Sequence, residues 1–307
     1  MGISIRGEPT EGAAHSAVAD RVEATVALVE RRGYALPALR LGEVCLGGQT
    51  AEAKVLEAVA SSSSLRVTHG LVVGPGLAAA APAIAARART HEEQAGAYLG
   101  ATLRFVRALV EVSPHILGVA IAGSLASGGF VESDDVDLNL LVEDGHRHLA
   151  YVALNLLGVA HALRHRRKPT DSHTRRPLAP RLMTANLILE RSQYLPLVRQ
   201  DPAMAYELLC SQPVFGRLHW RELVAANPKL VEHLPQLREW AVHADGSDHR
   251  SKLPGWLFPS WADGPARALG GAAWHWMQWT RRRDPAALAR VAFVRDTMRP
   301  YALFEDR

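Results

Sequence analysis

Between Leu117 and Val142 the chain runs from an apolar segment, LGVAIAG, through a loop of small residues into an acidic turn and a second apolar segment, VDLNLLV. Segments of this length and composition read as buried strands, so the chain is expected to build a sheet around them. Side chains on a strand alternate between its faces, which puts Asp135, Asp137 and Asn139 on one face and Val136, Leu138 and Leu140 on the other. Asp135 and Asp137 then stand side by side at the N-terminal end of the strand. Like charges so close are costly unless a counter-charge relieves them, and a divalent cation does so. Mg²⁺ takes one or two carboxylates and completes its shell with phosphate oxygens and water, which an Asp-x-Asp edge suits.

Upstream of the acids, Gly123-Ser124 ends the first strand and Ser127-Gly128-Gly129 keeps the loop small. Backbone N–H groups in such a turn can approach a phosphate because no side chain stands in the way. A phosphate cradle and a pair of metal ligands therefore face one another. The spacing Gly-x-Ser-x-Gly of a nucleophile elbow is absent from this loop, so a serine hydrolase is not indicated.

The rest of the chain organises around this centre. Residues 1–15 read as a loose polar terminus. Residues 16–76 hold a helix with Val18, Val22, Val26 and Val29 on one stripe, closed at Gly33. A second helix follows over 50–62 with Thr50 as N-cap, and then two short β pieces joined at His69-Gly70. Helices followed by a small hairpin form a winged-helix-like segment. Residues 77–191 begin with a long helix broken at Ser113-Pro114 and continue strand, strand, helix, strand, the last being RLMTANLILE. Residues 192–307 read as helical throughout. The expected fold class is an α/β core, a small mixed sheet with flanking helices, plus the winged-helix-like segment and a C-terminal helical region.

GSLASGGFVESDDVDL resembles the signature of the DNA polymerase β-like nucleotidyltransferase superfamily: an apolar strand, Gly-Ser, a small loop, then Asp-h-Asp-h, with ten residues here between Ser124 and Asp135. TANLILE, DPAMAYELLCSQPVFGRL and ELVAANPKL extend a looser similarity to bacterial predicted nucleotidyltransferases. The resemblance implies that Gly123 and Ser124, with Ser127 in the loop, hold nucleotide phosphates. It implies that Asp135 and Asp137 ligate one or two Mg²⁺ ions, with Mn²⁺ as a substitute. A third catalytic carboxylate is expected on a later strand. Glu190 is the acid on RLMTANLILE, and Asn186, in the middle of the same face, is the neutral candidate. The loop has Leu125 and Ser127 where members of the superfamily often carry Arg.

A net charge of +4 and a pI near 9.3 fit an anionic ligand such as a nucleotide. The basic run that includes Arg167 and Lys168 is either a triphosphate contact or a solvated loop. Trp274, Trp276 and Trp279 read as helix packing, and the histidines as surface residues without the spacing of a zinc hydrolase. Cys45 and Cys210 lie far apart in apolar contexts, as expected of buried thiols in a reducing cytoplasm. The longest apolar runs fall short of the roughly 20 residues of a membrane-spanning helix, and no membrane partner is expected.

The function expected from these readings is Mg²⁺-dependent transfer of a nucleoside monophosphate, with AMP from ATP the leading case, from a nucleoside triphosphate to a small-molecule acceptor. A polynucleotide acceptor is disfavoured, since no basic aromatic groove is readable. The alternatives are a catalytically degenerate nucleotide- or DNA-binding regulator, and a toxin-antitoxin type enzyme that nucleotidylates a partner protein.

Overall fold

A computed structural model describes residues 11–132, 134–164, 183–240 and 251–282, with four further positions between 285 and 292. The chain is mixed α/β, with one sheet of two strands and one of four among the described residues. It divides into two compact units, residues 1–86 with 232–236 and residues 87–231 with 237–307.

The first unit contains helices α1 (Glu11–Glu30), α2 (Ala38–Glu43) and α3 (Glu52–Ser61), and an antiparallel hairpin of β1 (Arg66–Thr68) and β2 (Leu71–Val73). His69 and Gly70, with φ of 51° and 76°, make the tight turn that the hairpin's right-handed twist favours. An isolated bridge from Leu36 to Val72 adds a third extended segment beside it. Helix α1 starts at Glu11, inside the stretch read as loose, and its backbone turns at Gly33 with φ of 78°. Ala51, not Thr50, caps α3, and without a side-chain hydrogen bond; the Thr50 hydroxyl instead accepts from Arg21 Nη2 at 3.2 Å. Gln236 donates to the carbonyls of Glu43 and Cys45 and ties the returning segment to this unit.

Helix α4 (Ala81–Val112) begins in the first unit, where Ala81 and Ala85 pack with Leu71 and Val73, and continues into the second. There the order is β3 (Ile116–Ala122), α5 (Gly123–Ser127), β4 (Val136–Val142), α6 (Arg147–Arg164) and β5 (Met183–Glu190). Next come α7 (Arg191–Tyr194), α8 (Pro202–Cys210), β6 (Gln212–Phe215), α9 (Arg217–Ala226), α10 (Pro228–His233), α11 (Leu237–Trp240) and α12 (Asp263–Arg281). The sheet order is β5-β4-β3-β6; β4 and β5 run parallel across the α6 crossover, and the other pairs are antiparallel. One core joins α4, the sheet and α6 through Leu109, Ile121, Phe130, Leu138, Leu140 and Leu154.

Two expectations are corrected here. QPVF, read within the helical C-terminal third, is the edge strand β6, held by its pairing with β3. His115, His146 and His148, read as surface residues, are 2%, 9% and 5% exposed. The β4–α6 connection packs beneath residues 258–263. There His146 faces the carbonyls of Asp144 and Phe258, and His148 Nδ1 lies 2.7 Å from the Asp263 carboxylate. No helix among the described residues is long and apolar enough to cross a membrane.

Candidate functional site

The site lies at the end of the sheet where β3 runs out and β4 begins. Antiparallel pairing puts Ala122 opposite Asp137, so the loop after β3 and the acids before β4 meet there. Gly123 has φ of 62°, and a Cβ on it would fall 2.1 Å from Asp137 Oδ2 and 2.9 Å from Cγ. The Asp137 carboxylate therefore rests directly on the Gly123 backbone, an approach open only to glycine. Its other oxygen, Oδ1, accepts from the Thr184 hydroxyl at 2.9 Å; Thr184 is the cross-strand neighbour of Asp137 on β5. Asp135 lies one residue before β4 and, like Asp137, is partly exposed.

Asp134 differs from both. Its Oδ2 accepts from the Ser124 hydroxyl at 2.8 Å and from the Arg87 guanidinium at 2.5 Å. Arg87 also donates from Nε to the Gly129 carbonyl at 2.9 Å. One turn further along α4, His91 Nδ1 accepts from the Phe130 N–H at 3.2 Å, which makes Nε2 the protonated nitrogen of the neutral ring. Burial holds the His91 pKa below its ordinary value, with Glu92 opposing the shift. Tyr98 packs tilted against Phe130 with ring centroids 4.7 Å apart, and its phenol is pushed up to about 12 by burial first and Glu132 second. Arg87, His91 and Tyr98 lie on one side of α4 at helical spacing and hold Gly129, Phe130 and Asp134.

Ser127 donates to the Gly123 carbonyl at 2.9 Å and closes the small turn, and Gly128 follows with φ of 88°. Gly123, Ser124, Ser127, Asp135 and Asp137 are therefore brought together. Asn186 sits deeper, at a bulge in β5 between the partners of Leu138 and Asn139. Its amide nitrogen donates to Asn139 Oδ1 at 2.9 Å and to Glu207 Oε1 at 2.8 Å, so both of its N–H groups are engaged. Asn139 in turn donates to Ser211 Oγ, and Ser211 Oγ to the Glu207 carbonyl, a buried polar chain joining β4, β5 and α8.

Glu190 is not brought to the acids. Its register partner is Val142, five positions along β4 from Asp137, or roughly 16 Å at about 3.3 Å per residue. Its carboxylate caps α7 in a reciprocal capping box with Gln193 and accepts from the Gly145 N–H at 3.0 Å. The expectation that Glu190 completes the acid cluster is corrected on that ground. Thr184, a neutral residue, occupies the neighbouring-strand position beside Asp137. Arg167 and Lys168 lie outside the described residues.

No group of three or more metal-ligating side chains is assembled among the described residues. The donor set is the Asp135/Asp137 pair, which fits Mg²⁺ only when substrate phosphates and water supply the remaining ligands. Sequence reasoning missed Arg87, Thr184 and the role of Asp134. Arg87 sits among alanines in a helix 47 residues before Asp134, and nothing in that spacing signals the contact.

No protein-family model, no curated protein and no solved structure matches the chain.

Proposed function

We propose that the chain is a nucleotidyltransferase that moves a nucleoside monophosphate from a Mg²⁺-bound nucleoside triphosphate to a small-molecule acceptor and releases pyrophosphate. The observation that carries the reading is the Asp137 carboxylate lying on the Gly123 backbone, with Asp135 beside it and the Ser124 loop adjoining. In this reading, Asp135 and Asp137 hold the ion and the Ser124 hydroxyl binds a non-transferred phosphate. The bound cation would neutralise the triphosphate and stabilise pyrophosphate as it leaves. Thr184 orients Asp137 through its hydrogen bond, leaving Oδ2 directed over the loop. The acceptor attacks the α-phosphorus in line, so the contribution of the protein is positioning and charge stabilisation.

The sheet is read as the nucleotidyltransferase core of the superfamily that GSLASGGFVESDDVDL resembles. The first unit is read as a winged helix, supported by the order α1, α2, α3, β1, β2 and the Leu36–Val72 bridge. Helix α3, in the position of a recognition helix, carries Glu52 and Glu57 against the single Lys54, a balance that disfavours contact with DNA phosphates. A degenerate nucleotide-binding protein is the second reading, favoured by Thr184 standing where a third carboxylate is expected.

Calorimetric titration of the four nucleoside triphosphates, with and without Mg²⁺, tests the assignment beside Asp135→Ala/Asp137→Ala. Metal-dependent binding of one triphosphate that disappears in the double variant is the expected result. Equal binding by the double variant overturns the site. Binding without pyrophosphate release in the presence of candidate acceptors moves the assignment to the degenerate reading.

A further inference from the structure

Two hydrogen-bond donors from separate elements converge on one anionic oxygen beside the acid pair. Ser124 Oγ and Arg87 Nη2 both reach Asp134 Oδ2, at 2.8 and 2.5 Å. A hydroxyl and a guanidinium aimed at a single carboxylate oxygen form the donor geometry that also suits a non-bridging phosphate oxygen. Ser124 is 9% exposed as a residue, whereas the Arg87 side chain is 44% exposed and the Asp134 side chain 16%. The guanidinium therefore keeps an open side while its Nε is anchored on the Gly129 carbonyl. A second guanidinium nitrogen remains to meet a ligand without the arginine leaving the loop.

We propose that Arg87 and Ser124 are the triphosphate-recognition pair of this site, and that Asp134 is an internal anion which they hold until a polyphosphate takes its place. The inference rests on the nucleotidyltransferase reading given above and deepens it by naming the phosphate contact. The stretch from Gly123 to Asp135 contains no arginine of its own, and Arg87 of α4 brings a guanidinium to it from outside. The exchange is favourable in charge: a half-exposed pair with one carboxylate is weak, and a Mg²⁺-bound triphosphate presents several anionic oxygens at once. It also separates the three acids by role. Asp134 balances Arg87 in the nucleotide-free protein, while Asp135 and Asp137 stay on the face that takes the cation. A purely structural ion pair predicts something different, since either partner's loss would loosen the loop and weaken binding in the same direction.

The protein is titrated with the four nucleoside triphosphates and with inorganic tripolyphosphate, each in excess Mg²⁺, beside Arg87→Ala, Arg87→Lys and Asp134→Asn. Thermal melting of every variant separates loss of binding from loss of fold. Arg87→Ala is expected to weaken binding at least about tenfold, and Arg87→Lys, which keeps charge without the planar fork, to fall between it and wild type. Asp134→Asn removes the competing charge and is expected to tighten binding by about threefold or more. Opposite signs at the two partners are the mark of competition. Weaker binding in Asp134→Asn, or unchanged binding in Arg87→Ala, overturns the inference while wild-type binding upholds the reading beneath it. Absence of Mg²⁺-dependent binding in wild type sinks both.

Discussion

Replacing Gly123 by alanine tests the contact on which the acid pair depends. Two costs are expected. Gly123 has φ of 62°, and left-handed backbone costs an L-residue roughly 1–2 kcal/mol. The added Cβ would also meet Asp137 Oδ2 at 2.1 Å and Cγ at 2.9 Å, so the carboxylate has to swing away and surrender its 2.9 Å bond from Thr184. A hydrogen bond to a charged group is worth about 1.5–3 kcal/mol. Gly128 supplies the internal control: its φ is 88°, and a Cβ there meets nothing within 4 Å. Gly128→Ala should therefore lose only the conformational part, about 1–2 kcal/mol, and keep Mg²⁺-dependent triphosphate binding. Gly123→Ala should lose roughly 2.5–5 kcal/mol and most of its binding. Denaturant midpoints give the stabilities and calorimetry the affinities. Equal destabilisation of the two variants, with binding retained in both, would refute the claim that Asp137 is seated on the loop backbone.

Two further outcomes are expected elsewhere. His115 is buried, stacked on His146 at 5.3 Å with both ring nitrogens lacking partners. Burial first, and His146 second, lower its pKa from 6.5 to about 4, with Asp263 opposing. The neutral ring's contribution is fully present above pH 6.5 and is lost as pH falls through about 4. That drop corresponds to about 3 kcal/mol. His115→Phe should remove this part of the acid sensitivity, measured as denaturant midpoints across that window; an unchanged slope counts against the assignment. Glu190→Ala should cost about 1 kcal/mol through loss of the α7 cap while leaving triphosphate affinity at the wild-type value, since Glu190 sits at the far end of β5. A collapse of affinity would restore it to the acid cluster.

The parts of the fold that are legible in the sequence are those whose cause is local. VDLNLLV and TANLILE declare strands by composition, and His69-Gly70 declares a turn because two successive residues there adopt positive φ. Gly-Ser and Asp-x-Asp are legible as a candidate site because strand alternation predicts Asp135 and Asp137 on one face, although β4 itself begins at Val136. What escaped depends on partners distant in the chain. QPVF has no alternation to mark it, and its proline argues against a strand; β6 exists because β3 offers an unpaired edge. Arg87 looks like one more solvated arginine until the fold brings it to Asp134. His146 and His148 look exposed because they open a helix after Asp144-Gly145, and only the return of residues 258–263 buries them. Trp276 and Trp279, read as packing residues, are 64% and 52% exposed and stack on each other, with Arg282 over the second ring. Helical spacing identifies a stripe without identifying what covers it.

The polar chain through Asn139, Asn186, Glu207 and Ser211 has a consequence for how such a chain can be cut. Its members come from β4, from β5 and from the end of α8, well past the last strand of the βαβ crossover. Trimming the protein after Arg191 to leave a minimal strand-and-loop fragment would remove Glu207 and Ser211 together with β6. Asn139 would then lose the acceptor of its amide, and Asn186 would keep only Asn139 Oδ1 of its two acceptors. A substitution at Asn139, Asn186, Glu207 or Ser211 breaks at least one bond of this chain. The stretch from Pro202 to Phe215 therefore belongs structurally with the strands that carry Asp137, although it holds neither Asp135 nor Asp137 itself.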